Sequence, residues 1–172
     1  MARVLRFAKV LKPQMIHVMS GPGKGAEAAD MFVDNLTWLA DQAPHQRFNV
    51  EPLNSYDFPG YFMNDYDLAA ELLARIDRPN VALQYDSYHA QRITGDALGT
   101  WERFKDIAVH VQIGQAPDRS EPGPGPVDFP ALFAAIDKSG YSGWVSAEYN
   151  PKAPTTAQGL GWMTRPPVGA IP

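Results

Sequence analysis

The chain has 172 residues, 45% hydrophobic and 20% charged, the composition of one globular domain, and no apolar run reaches the ~20 residues that span a bilayer. Its formal charge of −4 gives no basic field for a phosphate backbone, so nucleic acid and membrane are not expected partners. The absence of cysteine excludes disulfides and thiolate ligands, so a metal must be held by oxygen or nitrogen; with no secretory h-region, a cytoplasmic location is expected.

The first 26 residues hold Arg3, Arg6, Lys9, Lys12 and Lys24 with no acid before Glu27. Val4, Phe7, Ala8 and Leu11 recur at helical spacing, which predicts a surface helix packed on a sheet. Short β-rich runs then alternate with amphipathic stretches, the pattern of repeated βα units and a parallel sheet. Strands are expected at Met15 to Ser20, Phe48 to Leu53, Val81 to Tyr88, Ala108 to Gly114 and Gly143 to Tyr149. Helices are expected at Ala28 to Gln42, Asp65 to Ile76, Ala97 to Lys105 and Phe129 to Ser139, with a short one near Thr156 to Met163. Asp128 suits an N-cap and Gly140 a helix stop. Ser120 to Pro126 reads as a rigid Pro/Gly loop, and residues 164–172 read as an extended tail to a domain over residues 1–163.

Four of the strands carry polar residues two apart near the C-terminal end: Asn49 and Glu51, Gln84 and Asp86, His110 and Gln112, Ser146 and Glu148. Side chains alternate across a strand, so each polar pair faces one way while Val50, Tyr85, Val111 and Ala147 face the other. In a β/α barrel the polar set faces the interior, and sites in such barrels sit at the C-terminal strand ends. Glu51, Asp86, Gln112 and Glu148 therefore converge. A closed eight-stranded barrel takes about 250 residues, and only five βα units are legible here. A doubly wound sheet fits the length but calls for a phosphate loop, and the prolines and spacing of Ser20-Gly21-Pro22-Gly23-Lys24-Gly25 make a poor one.

On these residues the chain resembles the hydroxypyruvate isomerase family, among the xylose-isomerase-like barrels that include ketose 3-epimerases and 2-oxo-tetronate isomerases. The matching stretches are Val50 to Asn54 with Asp57 to Gly60, Gln84 to His89, His110 to Ile113, Arg119 to Gly123, Gly143 to Val145, Glu148-Tyr149 and Gly159 to Trp162. The resemblance implies an α/β fold, a partial TIM (β/α)8 barrel containing strands four to eight, with the first three βα units absent. It further implies a divalent metal, Mg²⁺ or Mn²⁺, on Glu51, Asp86, Gln112 and Glu148. Glu51 and Glu148 would be catalytic, and His89 and Arg119 would hold substrate oxygens. Glutamine at position 112, where epimerase relatives use histidine, points to the hydroxypyruvate branch.

The residue types suit that chemistry. Aldose–ketose interconversion moves a proton between adjacent carbons through an enediol, which needs a base, an acid and stabilisation of a developing oxyanion. Three acids and an amide match a hard cation, which would polarise the substrate oxygens as a Lewis acid. The expected reaction is hydroxypyruvate to 2-hydroxy-3-oxopropanoate, a small hydroxy-oxo acid being the partner. A 2-oxo-tetronate isomerase or a sugar 3-epimerase is the alternative within the class. An endonuclease-like relative would need a histidine-rich zinc site, and the chain has four histidines. The alternative from another class is an inactive partial barrel that only binds metal or self-associates as a homo-oligomer through open sheet edges. Structural readings compete residue by residue: Asp86 as a cap, Gln112 as a partner for loop backbone, His89 as a structural donor, and His110 as a buried hydrogen-bonded partner. Tyr85, Trp101 and Trp144 read as core or helix-facing aromatics.

Overall fold

A computed structural model describes residues 2–164, so the expected tail beyond Thr164 lies outside the described residues. Among the described residues no helix is long and apolar enough to cross a membrane. The elements run α1 (Ala2–Leu11), β1 (Met15–His17), α2 (Gly25–Gln42), β2 (Arg47–Val50), α3 (Tyr66–Ile76), β3 (Val81–Asp86), α4 (Ser87–Thr94), α5 (Ala97–Phe104), β4 (Ala108–Ile113), α6 (Phe129–Lys138), β5 (Val145–Ala147) and α7 (Thr156–Gly159). Each strand pairs in parallel with the next in sequence, giving one sheet in the order β1-β2-β3-β4-β5. A doubly wound sheet reverses its strand order at a switch point, and this one does not. The architecture is that of a parallel half-barrel.

Alternation along the strands builds the core. Phe48 and Val50 of β2, Leu83 and Tyr85 of β3, and Val111 and Ile113 of β4 are buried on the outer face. The helices meet them with Leu36, Leu39, Leu72, Ile76, Trp101 and Leu132. Full burial of one such aliphatic side chain contributes roughly 1.5–3 kcal/mol. Four helices start on an aspartate whose carboxylate accepts a backbone N–H of the first turn: Asp65 from Leu68, Asp86 from Tyr88 and His89, Asp96 from Gly99 and Asp128 from Ala131. Each such cap is worth about 1 kcal/mol. The expected caps and stops hold at Asp128 and at Gly140, whose φ of +76° suits glycine.

Three differences from the sequence reading have physical causes. The stretch Val81 to Tyr88 is strand only to Asp86, because the Asp86 side chain turns back to cap α4, an element the β-rich run Gln84 to Tyr88 concealed. In α1, Leu5 packs on the core while Val4, Phe7 and Leu11, expected to face a sheet, are exposed. Trp144 is also exposed, at 67%, because it precedes β5 at the edge of the sheet, whereas Tyr85 and Trp101 are fully buried as expected.

A register shift between Leu83 and Gln84 sets Gln84 beside His110 and Asp86 beside Gln112, and Gln112 in turn pairs with Ser146. Polar residues from successive strands therefore stand level on the inner face.

Candidate active site

Two layers of polar side chains occupy that inner face. In the lower one, Asn49 Nδ2 donates to Gln84 Oε1, and Gln84 Nε2 donates to Glu51 Oε2 at 2.9 Å and to Gln112 Oε1 at 2.5 Å. One buried amide thus ties β2, β3 and β4 together and fixes two of the four expected metal ligands. His17 on β1 brings Nε2 to 3.5 Å from Glu51 Oε2. Burial lowers the pKa of His17, against the raising pull of Glu148. The sequence motifs give Gln84 and His17 no role; their only signal is inward position on a strand.

The upper layer holds the acids. Asp86 is fully buried, with Oδ1 accepting the Tyr88 N–H at 2.7 Å and the His89 N–H at 3.3 Å, so it caps α4. Its other oxygen, Oδ2, lies 3.2 Å from Arg119 Nη2, and the same nitrogen reaches Glu148 Oε2 at 2.8 Å. Gly114, at the end of β4, makes this crossing possible: a Cβ there would stand 3.0 Å from the Glu148 carbonyl and 3.4 Å from Arg119 Cγ. Glu51, Asp86 and His89 each offer an atom within 4.8 Å of the others.

Burial, and then the like charges of Asp86 and Glu148, push Glu51 well above the usual carboxylate range. Burial pushes Asp86 up to about 6 although Arg119 pulls the other way. Burial and Arg119 push His89 down to about 3, so it is neutral. Its tautomer follows from its partners. The Asn54 backbone N–H donates to Nδ1 at 3.0 Å and Asn54 Nδ2 sits 2.9 Å from the same atom, so the ring proton belongs on Nε2. Asn54 is held in turn by Asp57, which accepts from its Nδ2 at 3.0 Å and from the Tyr88 hydroxyl at 2.6 Å. His110 is half-buried on β4, and burial lowers its pKa as well.

Three buried polar atoms on this inner face, Asn49 Oδ1, Glu51 Oε1 and His89 Nε2, have no hydrogen-bond partner. Each such atom costs about 1–3 kcal/mol, so a cluster of them at a strand-end site is a place built for something else to bind. A divalent cation fits: an orphaned carboxylate oxygen stands beside a second buried carboxylate, and buried charges of one sign are tolerated when a cation pairs them. Glu51, Asp86 and Glu148, with the amide oxygen of Gln112, are the oxygen donors that could hold it. With its proton on Nε2, His89 presents a donor rather than a lone pair.

A parallel barrel-type sheet with acidic residues at the C-terminal ends of its strands defines a class of enzyme fold. Residues 1–165 match the family model described as xylose isomerase-like TIM barrel, and the chain belongs to that family. Among curated relatives it is 38% identical to a 2-oxo-tetronate isomerase of Cupriavidus necator, over 94% of this chain and 64% of that protein. It is 33% identical to hydroxypyruvate isomerase of Escherichia coli, over 94% of this chain and 65% of that protein. A solved structure titled AP endonuclease, family 2, from Brucella melitensis superposes with a TM-score of 0.87 at 40% identity, covering 94% of this chain and 64% of that one. A Methylomonas D-allulose 3-epimerase in complex with D-allulose shares the fold, with a TM-score of 0.72 at 23% identity, covering 90% and 57%. The chain thus spans less than two thirds of the length of the curated relatives it matches.

Proposed function

We propose that the site isomerises a small hydroxy-oxo acid, interconverting hydroxypyruvate and 2-hydroxy-3-oxopropanoate. In this reading the five strands are strands four to eight of the family's barrel, Glu51, Asp86, Gln112 and Glu148 hold a divalent ion, Mg²⁺ or Mn²⁺, and His89 and Arg119 hold substrate oxygens. The observation that carries it is the convergence of carboxylates from β2, β3 and the end of β5, close enough for Asp86 and Glu148 to raise the Glu51 pKa. A carboxyl group whose pKa is raised holds a proton more readily and can both give and take one, which is what a shift between adjacent carbons needs.

The reaction removes a proton from C3 of hydroxypyruvate and delivers one to C2, through an enediol, while a second proton leaves the C3 hydroxyl and one reaches the C2 oxygen. Glu51 and Glu148 serve the two carbons, one as base and the other as acid, with roles exchanged in the reverse direction. The neutral His89 donates its Nε2–H to a substrate oxygen and does not compete for the carbon-bound proton. Arg119 offers a permanent positive charge to the substrate carboxylate. The bound ion supplies Lewis-acid polarisation of the carbonyl and hydroxyl oxygens. Burial of Glu51 and Asp86 keeps water from the exchanging protons.

The Cupriavidus relative's name favours a second reading within the class, the same shift in a four-carbon oxo acid. Glu51→Gln and Glu148→Gln, assayed on both acids with Mn²⁺ occupancy measured alongside, test the proposal. Each should lose roughly 10²–10⁴-fold in turnover while keeping most of the ion. Near-normal turnover at full occupancy would reject the two-carboxylate mechanism. Mn²⁺ binding without turnover of either acid by the unmutated chain would leave a cation-binding half-barrel.

A further inference from the structure

Arg119 has a stranger position than a substrate-binding arginine requires. Its Nη2 alone serves both Asp86 Oδ2, at 3.2 Å, and Glu148 Oε2, at 2.8 Å, while its Nε is buried without a hydrogen-bond partner. An arginine anchored for structure uses its planar fork, two parallel N–H groups on one carboxylate. One nitrogen shared by two carboxylates neutralises both without the two-point grip of the fork on either. The guanidinium lies over the Tyr88 ring, 5.2 Å from its centroid, on the side of a recess of about 370 Å³ lined by Asp57, Phe58, Tyr88, Asp118 and Asn150. The backbone beneath is held in place: Arg119 has φ +53°, its carbonyl accepts the Asn150 N–H at 2.7 Å, and the Ser120 carbonyl accepts the Gln115 N–H at 2.8 Å. A fixed root, a head held to its two carboxylates through one nitrogen and a neighbouring recess allow the side chain to swing without the loop moving.

We infer that Arg119 is a displaceable internal counter-ion of the cation site: its guanidinium neutralises Asp86 and Glu148, a divalent ion competes with it for those carboxylates, and the ion's arrival turns it into the adjoining recess. The inference rests on the reading above that Asp86 and Glu148 are ligands. It gives ion binding and arginine release a shared equilibrium, since two cations cannot hold the same two carboxylates at full strength. Release also places a charged fork where a carboxylate-bearing substrate can use it, so ion and acid substrate would favour each other.

The test is Mn²⁺ titration by calorimetry of the chelated chain and of Arg119→Gln, Arg119→Lys and Asp86→Asn. Removing the competitor should tighten Mn²⁺ binding about ten-fold or more in Arg119→Gln, the size of effect that one charge-assisted hydrogen bond carries. Lysine keeps a charge but lacks the reach of the fork, so Arg119→Lys should tighten by less. Without Mn²⁺ the Gln variant should melt lower than the unmutated chain, and saturating Mn²⁺ should close the gap. Unchanged or weaker Mn²⁺ binding in both arginine variants, with Asp86→Asn losing the ion, would overturn the counter-ion while leaving the ligands standing. Full Mn²⁺ affinity in Asp86→Asn would overturn the ligand reading and the inference with it. Should Arg119→Gln not fold cooperatively, the lysine variant decides: tightening supports the inference, no change overturns it.

Discussion

Glu51 is 3% exposed, faces Asp86 and Glu148, and keeps one carboxylate oxygen without a partner. Its pKa is raised in the folded state, so the folded protein binds more protons than the unfolded chain from the ordinary carboxylate range upward. Stability contributed by Glu51 is therefore lost as pH rises through its folded pKa. The lowered pKa values of His17, His89 and His110 act in the opposite sense, so the comparison is between the protein and a variant changed at Glu51 alone. Glu51→Gln, measured in chelator, should melt higher than the unmutated protein at pH 7.5, with the difference vanishing towards pH 4.5, where Glu51 is already protonated. A difference independent of pH would mean that Glu51 carries no unfavourable charge. At this scale the sequence picked out the acids and Gln112, and it left the bonding partners of the other amides unread. Glu51, Asp86 and Glu148 stand out because strand alternation and a strand-end position select them. Gln84 and Asn54 act through contacts between strands and loops 33 to 35 residues apart, which no local pattern encodes.

The loop after β4 illustrates the same limit among elements. Ser120 to Pro126 is visible in sequence as a Pro/Gly stretch, but what shapes it is the buried Gln115 before it. Gln115 Nε2 donates to the Gly123 carbonyl at 2.6 Å and the Val127 carbonyl at 3.1 Å, while Oε1 accepts the N–H groups of Val127 and Ala116, both at 2.9 Å. Gly125 packs against that amide so tightly that a Cβ would sit 2.5 Å from its carbon. Gln115→Ala should cost about 2–4 kcal/mol, because it strands buried backbone groups as well as removing bonds. Hydrogen exchange should rise at Val127 and thermal melting should fall; an unchanged melting temperature would remove Gln115 as the organiser of the loop that carries Arg119. The strands were legible from their β-rich runs and period-2 alternation, and the long helices from their apolar stripes. Helix α4 was not, since its cap is a residue the strand pattern had already claimed.

For the whole molecule, the parallel order without reversal gives a curved sheet whose two outermost strands are β1 and β5. Val145 beside Trp144 at one edge, and Val4, Phe7, Val10 and Leu11 along α1, are exposed. Unpaired strand edges and contiguous apolar faces favour association. Sedimentation velocity of this chain should show mass rising with concentration, and Trp144→Ser should weaken that rise; a compact monomer at every concentration would count against open edges. The barrel class was legible because four strands repeat one polar pattern at one end, a regularity that survives in sequence. The closeness of the acids depends on the register shift in β3, which does not.

In the proposed function, carboxylates at these strand ends shuttle a proton between adjacent carbons of a hydroxy-oxo acid. Its most direct test is proton NMR of hydroxypyruvate with this chain and Mg²⁺ in D₂O. The expected product is 2-hydroxy-3-oxopropanoate carrying deuterium at C2, formed by the unmutated chain and not by Glu51→Gln. Hydroxypyruvate left unchanged by stoichiometric, Mg²⁺-loaded protein, or product formed equally well by Glu51→Gln, would contradict it.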